Sequence, residues 1–540
     1  MNSFASSDAI AAKPPAPARP AQLLRTMPWL AAVPLVVTWL VVNPPSADLA
    51  DALYRAHLFA QAGLTIWDNQ WYAGMNTLDY SVLFPPLAAL LGPRLLGAGA
   101  AVASAWLFSR LARRSFGAGA WLGAVWFSAA VVTMLMSGRL TFAVGVAIGL
   151  GAVTAALANR TAAAGALSAA CSLASPVAGA FVVLAGGAWL LSGGHRRGLV
   201  LVIGAAVPLA ALDLIFPQGG VEPFSLGSLA VLTALSCVGV VVFARRQRPL
   251  AIGAALYALT AVCLYFIPTP MGGNVTRLGE LFGGPLLACA IGASTVDWRR
   301  KGVALVALTI PFVWWQWARP VLDVAHSWND PAAHRAYFQP LLGFLGRHSS
   351  APGRVEVVPL VHHWEATYVA PRYPLARGWE RQLDTAYGAP FYRDHLTPRG
   401  YRRWLDQLGV RYVALSDSAV DGDAVQERDL IEHGLPYLVP VFHSAHWRVF
   451  AVRHSRPLAS GAARMESLGP DYFDLVARRP GETLVRVHYS PYWSAGSDAG
   501  CVQPGRHGWT KVLLPRPGEA RVGISFSVSR LLDGDSPCRP

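Results

Sequence analysis

The chain has 540 residues, of which 53% are hydrophobic and only 14% are charged, and its mean hydropathy is +0.36. Charged residues make up about 25% of an ordinary soluble domain, so this composition excludes a soluble globular protein, a disordered chain and a coiled coil. The net charge of +14 and the pI near 9.8 are typical of a nucleic-acid binder, but the distribution of the charge argues against a nucleic-acid partner.

The charge is divided unevenly on either side of residue 320. Residues 1–320 contain 20 basic and 9 acidic side chains, whereas residues 321–540 contain 25 and 22. The first part therefore has the low charge density of a membrane-embedded segment, and the second has that of a soluble domain. This division predicts a polytopic α-helical membrane domain over 27–320, followed by folded domains outside the bilayer.

The membrane part begins after an Ala-, Pro- and Ser-rich segment, residues 1–26, which is predicted to be a disordered tail. The first apolar run, 27–42, resembles a signal-peptide core, but further apolar runs follow it, which favours an uncleaved first span. Ten more runs bring the predicted number of transmembrane helices to about eleven. These runs cover residues 95–111, 119–136, 140–158, 161–174, 177–193, 199–215, 225–244, 250–267, 279–296 and 303–319.

One pair of runs, 161–174 and 177–193, is separated by Ser175-Pro176. A proline there removes a backbone donor, so two short helices broken at this point are expected.

Basic clusters between the runs orient the chain. Together with the tail they contain 15 of the 20 basic residues of the membrane part, and all fall in the same alternate gaps. Because Lys and Arg are enriched in cytoplasmic loops, the N-terminus is predicted to be cytoplasmic, in a multi-pass protein of the plasma (inner) membrane. Eleven spans then place residues 321–540 outside. The clusters are Arg110/Arg113/Arg114, Arg160, Arg196/Arg197, Arg245/Arg246/Arg248 and Arg299/Arg300/Lys301.

The first outer loop, 43–94, is long and rich in acidic and aromatic residues. Ser46 is placed to cap a new helix, on which Asp48 and Asp51 share one face. Apolar residues on the opposite face predict an amphipathic helix at the membrane interface, and an Asp51–Arg55 surface pair is the structural alternative to a functional site. The residues that follow are predicted to lie in the headgroup layer or to stack on a sugar: Trp67, Asp68, Trp71, Tyr72 and Tyr80.

Two arginines on the predicted outer side are separate from the cytoplasmic clusters. Arg139 lies between two spans, and Arg277 follows a glycine-rich turn at the start of another. A guanidinium binds phosphate through two parallel hydrogen bonds, so both are candidate phosphate ligands. The alternative is an arginine that snorkels to the interface.

Three motifs follow one another in the first loop: residues 51–57, then Trp67-Asp68-x-x-Trp71-Tyr72-x-Gly74, then Tyr80-x-x-x-Phe84-Pro85-Pro86-Leu87. They resemble the first outer loop of GT-C-type polytopic glycosyltransferase-like membrane proteins. Within that class the loop is most similar to the bacterial groups called 6-pyruvoyl-tetrahydropterin synthase-related and YfhO-like membrane proteins. The pterin label is a family name only, and no residue here indicates pterin chemistry.

The resemblance implies transfer of a sugar from a polyprenyl-phosphate-linked donor to a cell-envelope glycan or lipid acceptor on the outer face. In GT-C enzymes an acid of the first outer loop acts as base or helps to bind a divalent metal such as Mg²⁺ or Mn²⁺. This implies Asp51 as the leading catalytic candidate and Asp48 as the second, although many GT-C members carry an adjacent acidic pair and this chain does not. The candidate ligands of the donor phosphate are Arg139, Arg277, Arg55 and His57.

The outer part is predicted to form an α/β domain, 321–456, and a β-sandwich-like domain, 457–540. Strands are expected at 355–360, 410–415 and 447–452, and a helix at 400–408. The segment from His362 to Arg381 is dense in aromatic and charged residues, and it either lines an acceptor groove or packs over the membrane part. The candidate groove residues are His363, Trp364, Glu365 and Trp379, and Cys501 and Cys538 are the candidate disulfide pair in an oxidising compartment.

The sequence thus favours a membrane glycosyltransferase whose partners are membrane lipids, a lipid-linked donor and a glycan acceptor, and it does not favour a nucleic-acid binder. No metal ligands with a recognisable spacing are found. Two alternatives stay open: a non-catalytic scaffold that binds glycan or a partner protein, and a lipid-linked glycan transporter or flippase. The second is disfavoured because Asp213 is the only charged residue that approaches the depth of the bundle.

Overall fold

The computed structural model describes residues 19–348, 351–392, 395–496 and 500–527. Within these ranges, eleven helices occupy the eleven predicted apolar runs: α2 and α5 to α14. The helices of the first part are α1 Arg19–Thr26, α2 Ala32–Val42, α3 Ala47–Ala62, α4 Phe84–Leu91, α5 Pro93–Phe116, α6 Trp121–Met136, α7 Leu140–Leu157, α8 Thr161–Ala174, α9 Pro176–Leu191, α10 His195–Ile215, α11 Leu226–Phe243, α12 Arg248–Phe266, α13 Thr276–Ala293 and α14 Trp298–Trp328.

Fewer helices qualify as spans by length and hydropathy alone. Among the described residues, five helical segments are long and apolar enough to cross a bilayer, one of them being Pro93–Met136, which contains both α5 and α6. A sixth is counted if α2 and α3, bent by 76° at their junction, form one span. The helices α8 and α9 have 14 and 16 residues, short of the ~20 needed for a full crossing. The number of true crossings stays a prediction.

The break between α8 and α9 has the predicted cause. The Ser175 side chain caps α9 by accepting a hydrogen bond from the backbone N–H of Ala178, and Pro176 occupies the first turn, where its missing donor costs nothing. Local chemistry therefore determines this turn.

Contacts between the connecting segments bring the basic clusters together at one end of the bundle. A guanidinium nitrogen of Arg114 donates to the carbonyl of Leu157 at 3.0 Å, and the Gln247 amide donates to the carbonyl of Ser115 at 2.6 Å. These bonds join the ends of α5, α7 and α11. The segments 113–116, 157–160, 196–197 and 245–248 are called the cationic end below.

The C-terminal region packs against the opposite end of the bundle, called the domain end below. There the first loop contributes two short strands, β1 Trp67–Asp68 and β2 Met75–Asn76, between α3 and α4. The backbone N–H of Leu375 donates to the carbonyl of Gln70 at 2.8 Å, and that of His488 donates to the carbonyl of Ala73 at 2.8 Å. The first loop is thus enclosed between the bundle and the C-terminal region.

The helix α14 continues past the predicted end of the membrane part. It runs without interruption for 31 residues, through Pro311 and Pro320, although the last apolar run ends at residue 319. A proline removes one hydrogen bond and kinks a helix without always ending it. The predicted boundary at 320 therefore falls inside a helix.

A mixed sheet with helices follows. Its strand order is β3-β4-β6-β5, with β3 parallel to β4 and the other neighbours antiparallel. The predicted strands at 355–360, 410–415 and 447–452 and the predicted helix at 400–408 all have counterparts. The elements are α15 Arg335–Arg347, β3 Arg354–Val357, α16 Glu365–Tyr368, α17 Arg381–Tyr387, α18 Pro398–Leu408, β4 Val410–Ser416, α19 Val425–Glu432, β5 Leu438–His443 and β6 Trp447–Val452.

Two four-stranded sheets, β12-β13-β10-β7 and β11-β14-β9-β8, form the last part of the described chain. Inward-facing residues alternate along β9, where Phe473 and Leu475 are fully buried. Trp67 and Phe216 from the membrane part join the same core, which anchors these sheets to the bundle. The strands are β7 Ala459–Gly461, β8 Ala463–Leu468, β9 Tyr472–Ala477, β10 Gly481–His488, β11 Trp493–Ala495, β12 Cys501–Pro504, β13 Trp509–Leu514 and β14 Gly518–Ile524.

Two predictions concern the chain ends. Residues 1–18 of the predicted disordered tail lie outside the described residues, but Arg19–Thr26 is helical, which corrects the prediction for that part. Cys501 is disulfide-bonded. Cys538 lies outside the described residues, so the pairing of these two cysteines stays a prediction.

Candidate functional site

The helix α3, which carries both candidate acids, begins one residue after Ser46 as predicted, but the Ser46 side chain makes no capping hydrogen bond. The expectation of an amphipathic helix on the membrane surface is wrong. Half of the 16 residues of α3 are buried, and the C-terminal region covers the helix. The Trp379 indole donates to the carbonyl of Ala47 at 3.1 Å, and the Thr367 hydroxyl donates to that of Ala50 at 2.8 Å. The polar face of the helix thus meets protein.

Asp51, the leading catalytic candidate, belongs to a buried chain of three charges. Its carboxylate accepts a hydrogen bond from Arg55 Nε at 2.7 Å, and Arg55 Nη2 lies 2.7 Å from Glu380 Oε2. The three side chains are only 3–9% exposed. The predicted Asp51–Arg55 pair is therefore present, but as a buried ion pair that engages Asp51 with no open face toward a substrate.

Asp48, the second candidate, is more accessible. Its side chain is 34% exposed, and Oδ2 lies 3.5 Å from Arg139 Nε. Arg139 Nη1 lies 3.3 Å from Glu280 Oε2. The Asp48 and Arg139 side chains are about one third exposed, unlike the buried pair one helical turn further on, although Arg139 Nε itself is buried.

A glycine turn brings Arg139 to Asp48. Gly138, with a φ of +76°, lies so close to the start of α3 that a Cβ at this position would collide with the backbone nitrogen of Leu49. Glycine accepts this backbone conformation without steric cost. The turn therefore sets both the approach of α7 to α3 and the position of the arginine that follows it.

Arg277 lies in the same neighbourhood. It is within electrostatic reach of Asp48, Tyr80, Arg139 and Glu222, and its guanidinium lies over the Phe142 ring at 5.6 Å. Among the residues that the structure describes, Arg277 has no ion pair and no hydrogen bond. It is thus a half-buried cation without a bonded anion.

These residues make one cluster at the domain end. Two of the four candidate phosphate ligands, Arg139 and Arg277, lie beside the second catalytic candidate. They sit at the starts of α7 and α13, and the N-terminus of a helix favours an anion. The cluster, called the Asp48 site below, consists of Asp48, Tyr80, Arg139, Glu222, Arg277 and Glu280.

The predicted aromatic surface of the first loop is wrong for three of its members. Trp67, Trp71 and Tyr72 are at most 4% exposed, because the loop is enclosed by the C-terminal region. Trp71 stacks on Tyr54 at 4.2 Å between ring centres, and the Tyr54 hydroxyl donates to Asp68 at 2.6 Å. These side chains hold the loop together, and they present no ring face on which a sugar could stack.

Tyr80 differs from the other aromatic residues of the loop. It is half-buried, and the Arg55 guanidinium lies 3.8 Å from its ring centre. Tyr80 thus contacts the buried charges on one side and belongs to the Asp48 site on the other. Asp68, in contrast, is fully buried, and that burial raises its pKa to about 6.

His57 is separate from the predicted phosphate site. It is exposed on α3, and no contact with the Asp48 site is found for it within the described ranges. It follows Asp51 by six residues, which places it on another side of the helix. Of the four predicted phosphate ligands, only Arg139 and Arg277 lie in the accessible cluster, since Arg55 is buried.

The predicted acceptor groove is instead a packed segment over the membrane part, the alternative that the sequence left open. His363, Trp364 and Glu365 are at most 4% exposed. His363 stacks on Trp379 at 3.7 Å between ring centres, and Trp379 in turn contacts the start of α3. The segment thus supports α3 from the side of the C-terminal region.

Carboxylates surround the buried imidazole of His363. Its Nε2 lies 2.8 Å from Asp421 and its Nδ1 lies 3.2 Å from Glu365. Burial alone lowers the pKa of His363, but hydrogen bonds to Asp421 and Glu365 outweigh burial and raise it to about 9. Burial raises the pKa of Asp421, but the hydrogen bond from His363, the charge of His363 and the nearby Arg381 outweigh burial and lower it to about 2.

The described residues contain no group of three or more His, Cys, Asp or Glu side chains arranged to hold a metal ion. At the Asp48 site, Arg139 stands between Asp48 and Glu280 and takes the position that a shared cation would need. The donor set of this arrangement does not fit Mg²⁺ or Mn²⁺, and no step below is derived through a metal.

Sequence reasoning missed the partners that complete both clusters. Glu380 pairs with Arg55 from 325 residues away, and no local pattern signals such a contact. Glu280 could have been found from the sequence. It follows Arg277 by three residues, so on a helix the two side chains share one face.

The fold and the site define a multi-pass helical membrane protein with a β-rich C-terminal region and a charged cluster where the two meet. No protein-family model matches the sequence, and no curated protein matches it. Among solved structures, the chain is similar to the single-particle cryo-EM structure of the arabinofuranosyltransferase AftD from Mycobacteria, with 15% identity and a TM-score of 0.43. The match covers 94% of this chain and 57% of that chain, so this chain spans little more than half the length of that protein.

Proposed function

We propose that the protein is a GT-C-like membrane glycosyltransferase that transfers a sugar from a polyprenyl-phosphate-linked donor to a cell-envelope glycan or lipid acceptor on the outer face. The observation that carries the proposal is the Asp48 site. A half-exposed carboxylate there faces two arginines, one of which, Arg277, has no bonded anion among the described residues. The resemblance of the first loop to GT-C proteins supports the same conclusion.

The arrangement fits both halves of a glycosyl transfer. The acceptor hydroxyl attacks the anomeric carbon of the donor sugar and forms the new C–O bond, while the bond between that carbon and the phosphate oxygen breaks. Asp48 accepts the hydroxyl proton as general base. Arg277 and Arg139, together with two helix N-termini, stabilise the negative charge on the departing lipid phosphate.

We assign the base to Asp48 in preference to Asp51, the leading candidate by resemblance, on the ground of access. Asp51 is 4% exposed and is paired with Arg55, so it cannot reach an acceptor hydroxyl in this arrangement. Its role in the proposal is to hold Arg55, and through Arg55 the Tyr80 ring at the edge of the site.

The test is a cell-envelope glycan assay in a strain whose only copy of the gene is a variant, with the protein level held constant. We expect Asp48→Asn and Arg277→Ala each to lower glycan formation by about 10²-fold or more, since each removes one catalytic group. Asp429→Asn, which removes an exposed carboxylate paired with Arg428, is the matched control and should retain full activity. Full glycan levels in both Asp48→Asn and Arg277→Ala would refute the catalytic assignment.

The non-catalytic scaffold is the second candidate, and the burial of Asp51, Trp67 and Trp71 favours it. A first loop locked by the C-terminal region is what a static binding platform needs. This alternative expects Asp48→Asn and Asp51→Asn to be harmless to glycan formation at equal protein level, whereas catalysis at the Asp48 site expects loss in Asp48→Asn.

A further inference from the structure

The interior of the helical bundle contains a large apolar cavity. Its volume is about 570 Å³, and residues of α5, α7 and α9 to α14 line it. Most lining side chains are aliphatic or aromatic, such as Phe108, Leu232 and Phe282. Filling a bundle to normal packing density would leave no space of this size, so the cavity is suited to an apolar guest.

The charged and amide side chains that line this cavity lie at one end of it. Arg197 and Gln247 are there, together with Ser115, and all three belong to the cationic end. Arg197 is half-buried, and among the described residues its guanidinium donates only to the side-chain oxygen of Asn159, at 3.0 and 3.2 Å. An amide oxygen does not neutralise it, so Arg197 keeps a full positive charge at the mouth.

The other end of the cavity reaches toward α13 but presents no charge. The Tyr257 hydroxyl lies there, and it donates to the carbonyl of Val275 at 2.6 Å and accepts from the backbone N–H of Gly279 at 3.0 Å. Both of its hydrogen-bonding roles are therefore filled. Arg277 of the Asp48 site is not among the lining residues, so the charged side chain in the described lining, Arg197, is at the cationic end.

The length of the cavity matches one leaflet of a bilayer. Along α7 it extends from Gly145 to Leu157, which is about 18 Å at 1.5 Å per residue. Half of a hydrocarbon core of ~30 Å is about 15 Å. A single acyl chain that enters at the cationic end would therefore fill the cavity and end near the middle of the membrane.

We propose that this cavity binds an anionic glycerophospholipid of the leaflet at the cationic end, with one acyl chain inside and the phosphate on Arg197. The bonds of Arg114 to Leu157 and of Gln247 to Ser115 hold other arginines beside the mouth, and such clusters attract anionic headgroups by about 1 kcal/mol per charge. The proposal is independent of the glycosyltransferase assignment, since the two sites share no residue.

The test is thermal unfolding and native mass spectrometry of the full-length protein in detergent, with dioleoyl phosphatidylglycerol as the probe. We expect this lipid to raise the melting temperature and to bind as one retained molecule. Arg197→Ala should weaken that binding by more than about fivefold, because it removes a direct phosphate contact in addition to one surface charge worth about 1 kcal/mol. Arg197→Lys should restore most of the affinity.

Arg196→Ala is the matched control, because Arg196 is exposed in the same cluster but does not line the cavity. It removes only the long-range attraction of one surface charge, so it should weaken the binding by no more than about fivefold and clearly less than Arg197→Ala does. Equal weakening in both variants would show diffuse surface attraction and overturn the site. Stabilisation by inorganic phosphate alone, or equal binding of dioleoyl phosphatidylcholine, would overturn the proposed lipid.

A polyprenyl phosphate serves as the competing probe. If it displaced the phospholipid, and if Arg277→Ala weakened it while Arg197→Ala did not, the cavity would belong to a chain entering from the Asp48 site and the proposal would fail. Glycan formation is measured separately and depends on Asp48, so failure of either proposal is recognised without the other.

Discussion

Arg55 is held between two carboxylates that come from distant parts of the chain. Asp51 lies one helical turn away, and Glu380 belongs to the region that covers α3. A buried ion of this kind is costly to leave unpaired, because the protein interior screens charge weakly. At the level of single residues, the buried triad of Asp51, Arg55 and Glu380 therefore holds the C-terminal region against the membrane part.

Replacing Arg55 tests how much the buried triad contributes to stability. Arg55→Met leaves Asp51 and Glu380 buried without a cation, and we expect it to destabilise the protein by about 3–5 kcal/mol, measured as a fall in the melting temperature. Arg448→Met is the matched control, because Arg448 pairs with Glu432 on the surface and such pairs contribute at most ~1 kcal/mol. Similar losses in the two variants would contradict the burial of the triad.

The pH dependence of stability tests His363. Its pKa is about 9 in the folded protein against 6.5 for the free side chain. A raised pKa means that the folded state binds the proton more tightly, so the stabilisation is complete below pH 6.5 and is lost as the pH rises to about 9. We expect the melting temperature to fall over this range in the native protein and to fall much less in His363→Gln.

A second buried group, Glu427, also makes stability depend on pH. Burial raises the pKa of Glu427 from 4.5 to about 7, which gives a slope of the same sign at lower pH, so the effect of His363 is to be read above pH 7. His433→Gln, at an exposed position, is the control. An unchanged slope in His363→Gln would refute the contribution of the imidazole.

At the scale of elements, the approach of α7 to α3 decides whether Asp48 and Arg139 meet. The turn at Gly138 touches the backbone of Leu49 directly, so the two helix starts are in contact with no side chain between them. The first turns of α3, α7 and α13 thus form one surface, and their aligned amide groups favour an anion there.

A pair of glycine variants tests this approach. Gly138→Ala and Gly193→Ala both add a Cβ at a positive φ, which costs each about 1–2 kcal/mol. Only the Cβ at position 138 would meet the backbone of Leu49, since Gly193 has open space around it. We expect a clearly larger loss of melting temperature in Gly138→Ala, together with loss of glycan formation. Equal effects would mean that the turn tolerates displacement.

For the molecule as a whole, the distribution of charge and the packing of the C-terminal region indicate the same orientation in the membrane. The net charge of +14 is concentrated in segments that meet at the cationic end, whereas the C-terminal region packs on the domain end. Since cytoplasmic loops are enriched in Lys and Arg, we predict that the cationic end faces the cytoplasm and the C-terminal region lies outside.

Cysteine labelling of intact cells measures this orientation. In a variant in which alanine replaces the four cysteines that are free among the described residues, a membrane-impermeant maleimide should label a cysteine introduced at Glu482 of the β-sandwich. A cysteine introduced at Arg246 of the cationic end should react only after the cells are permeabilised. Both positions are exposed, so the reverse pattern would show the opposite orientation.

The strength of sequence prediction varied with the range of the interactions involved. The eleven apolar helices, the break at Ser175-Pro176 and the main strands of the C-terminal region follow from hydropathy, periodicity and turn chemistry, which act within a few residues. The burial of the first loop could not be predicted in this way. The local sequence around an aromatic or acidic residue is the same whether solvent or another domain covers its side chain. The sequence therefore predicts Trp67 and Trp71 on a surface, whereas the folded chain encloses both side chains.

Composition along the chain suffices to predict the membrane class, the number of apolar helices and the separation of the basic clusters, because each is a sum over neighbouring residues. The pairing of Asp51 with Arg55 and Glu380, the access to Asp48, and the position of Arg139 and Arg277 beside it appear only in the folded chain. Access and ion pairing depend on which distant segments touch, and a contact across 325 residues gives no signal in the local sequence.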